Sequence, residues 1–125
     1  MLRDNNLFDK KDLKCSFECV RLGQKYFFEG NINKAIKFHQ KAVRLKPNDA
    51  KIRIFLGNAW LKKANISLKG TNEKKINWFN NAKIHYLKAK TLSTNGVNKE
   101  WARQRIKEVE HALVASEYLR ILKDI

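Results

Sequence analysis

Three histidines, two cysteines and twelve carboxylates are the side chains of this 125-residue chain suited to proton, metal or nucleophilic chemistry. Their spacing argues against all three. His39, His85 and His111 fall in separate segments, with no cysteine or carboxylate beside them at zinc or calcium spacing. Cys15 and Cys19 are four residues apart, which on a helix puts them one turn apart on a single face. Two such cysteines make no disulfide framework and read as reduced, partly buried thiols. No carboxylate pair sits in an apolar setting that would raise a pKa for acid–base work. No glycine-rich loop opens a helix as nucleotide sites require, and no serine occupies a strand-to-helix elbow. The sequence therefore predicts no catalytic residue, no metal site and no cofactor, and the chain is read as a non-enzyme.

Lysine is the residue in excess. Twenty-seven basic against twelve acidic side chains give a formal charge of +15. Residues 1–49 carry eleven basic and six acidic groups, residues 50–99 eleven against Glu73 alone, and residues 100–125 five of each. A positive field concentrated in mid-chain draws anionic partners. Lys62, Lys63, Lys69, Lys74 and Lys75 cluster there, Lys83, Lys88 and Lys90 continue beyond them, and Trp78 lies among them. Basic groups beside an aromatic suit phosphate contact and base stacking. They suit an acidic protein surface equally well, and a solvated helix face is the plainest reading.

Helices must position these side chains. One proline and five glycines leave little material for hairpins, and no window alternates apolar with polar residues as a half-buried strand does. The expected fold is all-α, about five helices in one domain over 13–125, after a loose polar segment 1–12. The first helix runs from Leu13 to about Gly30, where Gly30-Asn31 forms a left-handed cap. Asn33 caps the second, which buries Ile36, Phe38, Ala42 and Leu45 and stops at Pro47. The third runs from Asp49 to about Leu68, with Ile52, Phe55, Leu56, Ala59, Trp60 and Ala64 as its apolar set. The turn-like Lys69-Gly70-Thr71-Asn72 leads to a fourth, Glu73 to Leu92, with Ile76, Phe79, Ala82, Tyr86 and Ala89 inward. Asn98 caps the fifth, Lys99 to about Leu122, buried through Trp101, Ile106, Val109, Leu113 and Leu122.

Two of these hairpins restate one pattern. Residues 16–49 read Cys19-x2-Leu22-Gly23-x2-Tyr26, then Ala35-x3-His39, Ala42 and Pro47. This resembles the tetratricopeptide repeat, with cysteine in place of its tryptophan and histidine in place of its phenylalanine. Residues 50–95 give Arg53-x2-Leu56-Gly57-x2-Trp60 and Ala82-x3-Tyr86, then Ala89, with about 13 residues more between the two parts than an ordinary repeat has. Residues 98–123 would cap the stack. The resemblance implies antiparallel helix pairs stacked as a short superhelix, the second hairpin elongated by one to two turns in both helices.

It also implies a concave groove lined by the first helix of each repeat. The corresponding positions are Phe17, Val20, Arg21, Gln24 and Phe27, then Lys51, Ile54, Phe55, Asn58, Leu61 and Lys62. An apolar floor with a basic rim would take a protein partner, as a peptide segment or helix of acidic or amphipathic character. The carboxylate clamp that some such repeats use on chaperone tails is missing, because Val20, Gln24 and Phe55 stand at its Lys and Asn places. Phe17, Phe27 and Phe55 have a plainer role open to them, packing against the chain's own first or last helix. The chain is read as an interaction adaptor or subunit of a larger assembly. A nucleic-acid-associated protein using the basic 50–99 region is the alternative. No apolar run approaches the ~18 residues of a membrane span, and no secretory or transit signature opens the chain. The expected location is an intracellular, reducing compartment, the cytoplasm. Gly23→Leu should overpack the helix crossing at a cost of ~1–3 kcal/mol or more, and a thermal melt checks it.

Overall fold

The computed structural model describes residues 10–67 and 72–123, among which there are five helices: α1 (Lys10–Glu29), α2 (Ile32–Leu45), α3 (Ala50–Ile66), α4 (Asn72–Leu92) and α5 (Gly96–Lys123). Lys69 and residues 1–9 of the expected loose segment lie outside the described residues. Short polar side chains begin three of the helices by accepting backbone N–H groups that lack a partner one turn back. Asn31 Oδ1 accepts from Lys34 N at 3.4 Å, Asp49 Oδ1 from Ile52 N at 3.1 Å, and Asn95 Oδ1 from Asn98 N at 2.8 Å. Asp49, the expected start of the third helix, is thus its cap. Asn31 and Asn95 take the roles expected of Asn33 and Asn98, which lie already inside the first helical turns. Gly30 closes α1 with a φ of 87°, as its left-handed place requires. Asn31 N then donates to Tyr26 O at 2.9 Å.

Successive helices pack antiparallel, and α3 is shared by two cores. Ile52, Leu56 and Ala59 join Cys19, Ile36 and Val43 between α1, α2 and α3. Ile54, Leu61 and Ala64 join Phe79, Tyr86, Ile106 and Val109 between α3, α4 and α5. Trp60 packs against both. A helix apolar on two sides is one buried between layers, and this makes α3 the axis of the stack.

Within each hairpin a glycine lies flat against a ring. A Cβ added at Gly23 would sit 2.5 Å from His39 Cε1, and one at Gly57 would sit 2.7 Å from Tyr86 Cε1. Both rings are fully buried and have nowhere to move. The two hairpins therefore share one crossing, with His39 and Tyr86 filling the same place. Tyr26 and Phe38 stack beside the first crossing at 5.6 Å between ring centroids.

The elongation of the second hairpin is unequal. Helix α1 ends six residues past Gly23, and α3 ends nine past Gly57. Helix α2 opens three residues before Ala35, whereas α4 opens ten before Ala82. Two extra turns have gone into α4 and less than one into α3, so the expected one to two turns are found in α4 and not in α3. Those extra turns, residues 72–78, carry the buried Ile76 and the half-buried Trp78, which extend the packed face of α4.

Helix α5 lies along α4 through Ala102, Ile106 and Val109. Its far end exposes a set of apolar side chains. Leu122, expected inside, is 47% exposed, and Val114, Tyr118, Leu119 and Ile121 are exposed with it. At 28 residues against the 21 of α4, α5 overhangs its neighbour by roughly 10 Å at 1.5 Å per residue. Leu122 comes nine residues after Leu113, about half a turn round from the side that meets α4, and so faces away from it.

Burial holds His39 and His85 neutral, each with a pKa pushed down to about 4 from an ordinary 6.5, and for His85 the nearby Arg53 guanidinium adds to the effect. A depressed folded-state pKa means that the unfolded chain takes up the proton first. The stability is whole above pH ~6.5 and is lost as pH falls toward ~4. Urea titrations across this window should show an acid loss of up to ~3 kcal/mol per buried histidine, and His39→Phe should remove a large part of it.

Candidate partner-binding groove

The polar ends of the two crossing rings emerge at a common groove. His39 Nε2 lies 3.2 Å from Gln24 Oε1, and Tyr86 OH donates to Asn58 Oδ1 at 2.5 Å. Gln24 follows Gly23 and Asn58 follows Gly57, so the device is repeated. The glycine admits the ring, and the next side chain, one helical step round, binds its polar atom. The neutral His39 ring donates from Nε2 to the amide oxygen, and its Nδ1 is buried with no hydrogen-bond partner. Burial raises the Tyr86 hydroxyl well above the usual phenol range, so it stays a donor. Gln24 and Asn58 are held by these bonds as polar points on an otherwise apolar wall.

That wall belongs to two basins. The larger, about 520 Å³, lies between α1, α3 and α5 and is lined by Gln24, Phe27, Phe28, Phe55, Asn58, Leu61, Lys62, Asn65, Ile66, Trp101, Arg105 and Glu108. The smaller, about 380 Å³, lies between the beginnings of α1 and α3 and is lined by Ser16, Phe17, Val20, Lys46, Asp49, Lys51, Ile52 and Phe55. Phe55 lines both. It is fixed between His39, at 5.8 Å between centroids, and Trp101, edge-on at 6.4 Å. Phe28 and Phe17 are about three-quarters exposed at the two ends.

Nine of the eleven expected groove residues line these basins. Gln24, Phe27, Asn58, Leu61 and Lys62 line the larger, Phe17, Val20 and Lys51 the smaller, and Phe55 both. Ile54 is corrected. It is fully buried in the core with Phe79 and Tyr86, because residues 54 and 55 point about 100° apart on a helix and only one can face the groove. Arg21 lines neither basin and pairs with Glu18 at 2.9 Å, a bond that holds the Glu18 carboxyl below its ordinary pKa. The wall from α5 was missed. Trp101, Arg105 and Glu108 recur at i, i+4 and i+7 on one helical face, and that spacing was the available signal. Which neighbour the face meets follows only from how α5 seats on α4.

Four cations rim the basins, Lys46 and Lys51 at one and Lys62 and Arg105 at the other, against two acids. Both acids are already engaged, Asp49 as the α3 cap and Glu108 with Arg105 NH1 at 2.8 Å. Lys62 Nζ lies 4.7 Å from the Phe27 ring centroid and Lys51 Nζ 5.8 Å from that of Phe55, so two cations cover the aromatic floor.

The remaining lysines of the expected basic patch point in several directions. Lys63 donates to Asn33 Oδ1 at 2.9 Å and lies over Trp78 at 4.9 Å, away from the groove. Lys83 reaches Glu110 of α5 at 3.4 Å. Lys74 and Lys88 are exposed, and Lys75 and Lys90 half-buried, along α4. Trp78 is half-buried and packs against the second core. Among the described residues no cluster of His, Cys, Asp and Glu could hold a metal ion, and no helix is long and apolar enough to cross a membrane.

Residues 19–49 match the tetratricopeptide repeat family, the stretch that contains the Gly23–His39 crossing. No curated protein and no solved structure matches the chain. Tyr86→Phe should leave Asn58 without its donor at the groove wall and cost about 1 kcal/mol. A lower melting temperature with unchanged helicity is the expected result.

Proposed function

We propose that this chain, which carries a tetratricopeptide repeat at residues 19–49, is an adaptor or subunit that holds an amphipathic, acidic segment of a protein partner in the groove between α1, α3 and α5. Such repeats mediate protein–protein interaction, and that general role comes with the repeat. The finer reading rests on one observation: aromatic and aliphatic side chains from three helices stay open in a groove whose free charges are positive. Apolar side chains of a partner would enter on either side of Phe55, and its carboxylates would meet Lys51 and Lys62. The charge sets the rate of capture and the orientation, and the aromatic contacts supply most of the affinity. The free Cys15 and Cys19 thiols support a reducing, cytoplasmic setting.

Phe28→Asp is the cleaner probe of this reading, because Phe28 is 76% exposed, whereas Phe55 packs on His39 and Trp101. The tagged chain is expected to retain from native lysate a protein that survives nuclease, and Phe28→Asp should lose it at unchanged thermal stability. Equal retention by wild type and Phe28→Asp removes the groove from the proposal. Retention that disappears with nuclease moves the function to the basic 50–99 region and nucleic acid.

A further inference from the structure

The smaller basin of the groove opens at the beginning of α1, the helix into which residues 1–9 lead. Its apolar lining is Phe17, Val20, Ile52 and Phe55, and Phe17 is 74% exposed there. Among the described residues none of α4 or α5 lines it, whereas Trp101 of α5 walls the larger basin. Lys46 and Lys51 stand at its edge against Asp49, whose carboxylate is engaged in capping α3. An apolar hollow with two cations suits apolar side chains accompanied by an acid.

The chain itself brings both to this place. Residues 1–9 read Met-Leu-Arg-Asp-Asn-Asn-Leu-Phe-Asp, in which Leu2, Leu7 and Phe8 stand among acids that outnumber Arg3. Lys10, where α1 begins, comes seven residues before Phe17, close to two full turns. The chain therefore enters α1 on the same side of the helix as Phe17, about 10 Å from it along the axis. Nine residues span up to roughly 30 Å when extended, enough to turn back and reach past Val20. We propose that residues 1–9 fold back over the smaller basin of their own chain, with Leu7 and Phe8 against Phe17 and Val20 and Asp4 within reach of Lys46 and Lys51. So short a tether holds the segment at an effective concentration on the order of millimolar, which populates even a weak contact. The larger basin stays open. One consequence rests on the groove reading above: a partner enters beside Phe28 and must displace Phe8 to pass Phe55.

Nuclear Overhauser contacts within the isotope-labelled 125-residue chain test this without any partner. Contacts from the Leu7 methyls and the Phe8 ring to Phe17, Val20 and Ile52 are expected, and they should persist on dilution. Phe8→Asp should abolish them and shift the Val20 and Ile52 methyl resonances, with helicity unchanged. Lys51→Glu should weaken them, as should added salt. Phe28→Asp, at the far end of the groove, should leave them intact, so its loss of a partner and the loss of this contact are separate results. Absence of the contacts, contacts found only between labelled and unlabelled copies in a mixed sample, or contacts indifferent to Lys51→Glu would overturn the proposal.

Discussion

Two contacts between a glycine and a ring govern the geometry of this protein. Gly23 faces His39 and Gly57 faces Tyr86 at distances that leave no room for one more carbon. They set how closely the helices of each hairpin approach, and hence the angle at which one hairpin rests on the next. The same contact occurs in both hairpins, and the first helices of both face one hollow. The groove is a consequence of these crossings. Its polar points are too, since Gln24 and Asn58 are placed by the rings that the glycines admit.

The rings are not interchangeable with plain hydrocarbon. A phenylalanine at position 39 would fill the space without an atom that needs a partner, whereas histidine brings two nitrogens into a site with no solvent access. One is bonded and the other is not. The cost appears as resistance to protonation, and with it a dependence of the fold on pH. Tyr86 answers the same problem with a single hydroxyl, fully used. The two halves thus share a geometry and differ in polarity.

Much of the charge does not converge on one surface. Lys62 and Lys51 lie over groove aromatics, Lys63 is bound to Asn33 above Trp78, and Lys83 is paired with α5. Lysines adjacent in sequence point to different neighbours, because each helical step rotates the side chain by about 100°. A basic count in sequence is therefore a poor guide to a basic face. The groove's positive balance comes instead from Lys46, Lys51 and Lys62, since Arg105 and Glu108 pair with each other and Asp49 caps α3.

The helical class, the five elements, the crossing glycines and nine of the groove residues were legible in the sequence, because each depends on local propensity or on a spacing within one or two helices. Periodicity told which residues of α4 turn inward, and Gly30 and Asp49 announced their own boundaries. The burial of Ile54, the third wall of the groove and the exposed apolar side chains at the far end of α5 were not legible. Ile54 and Phe55 are equally apolar, and only the seating of α4 and α5 on α3 decides which is core and which is floor. Trp101 has the same pattern whether it faces α4 or the groove. Leu122 is apolar but lies about half a turn round from Leu113 and the side of α5 that meets α4, and so is exposed. Periodicity assigns residues to a face, but what covers that face depends on the lengths and crossing angles of other helices, which only the tertiary structure fixes.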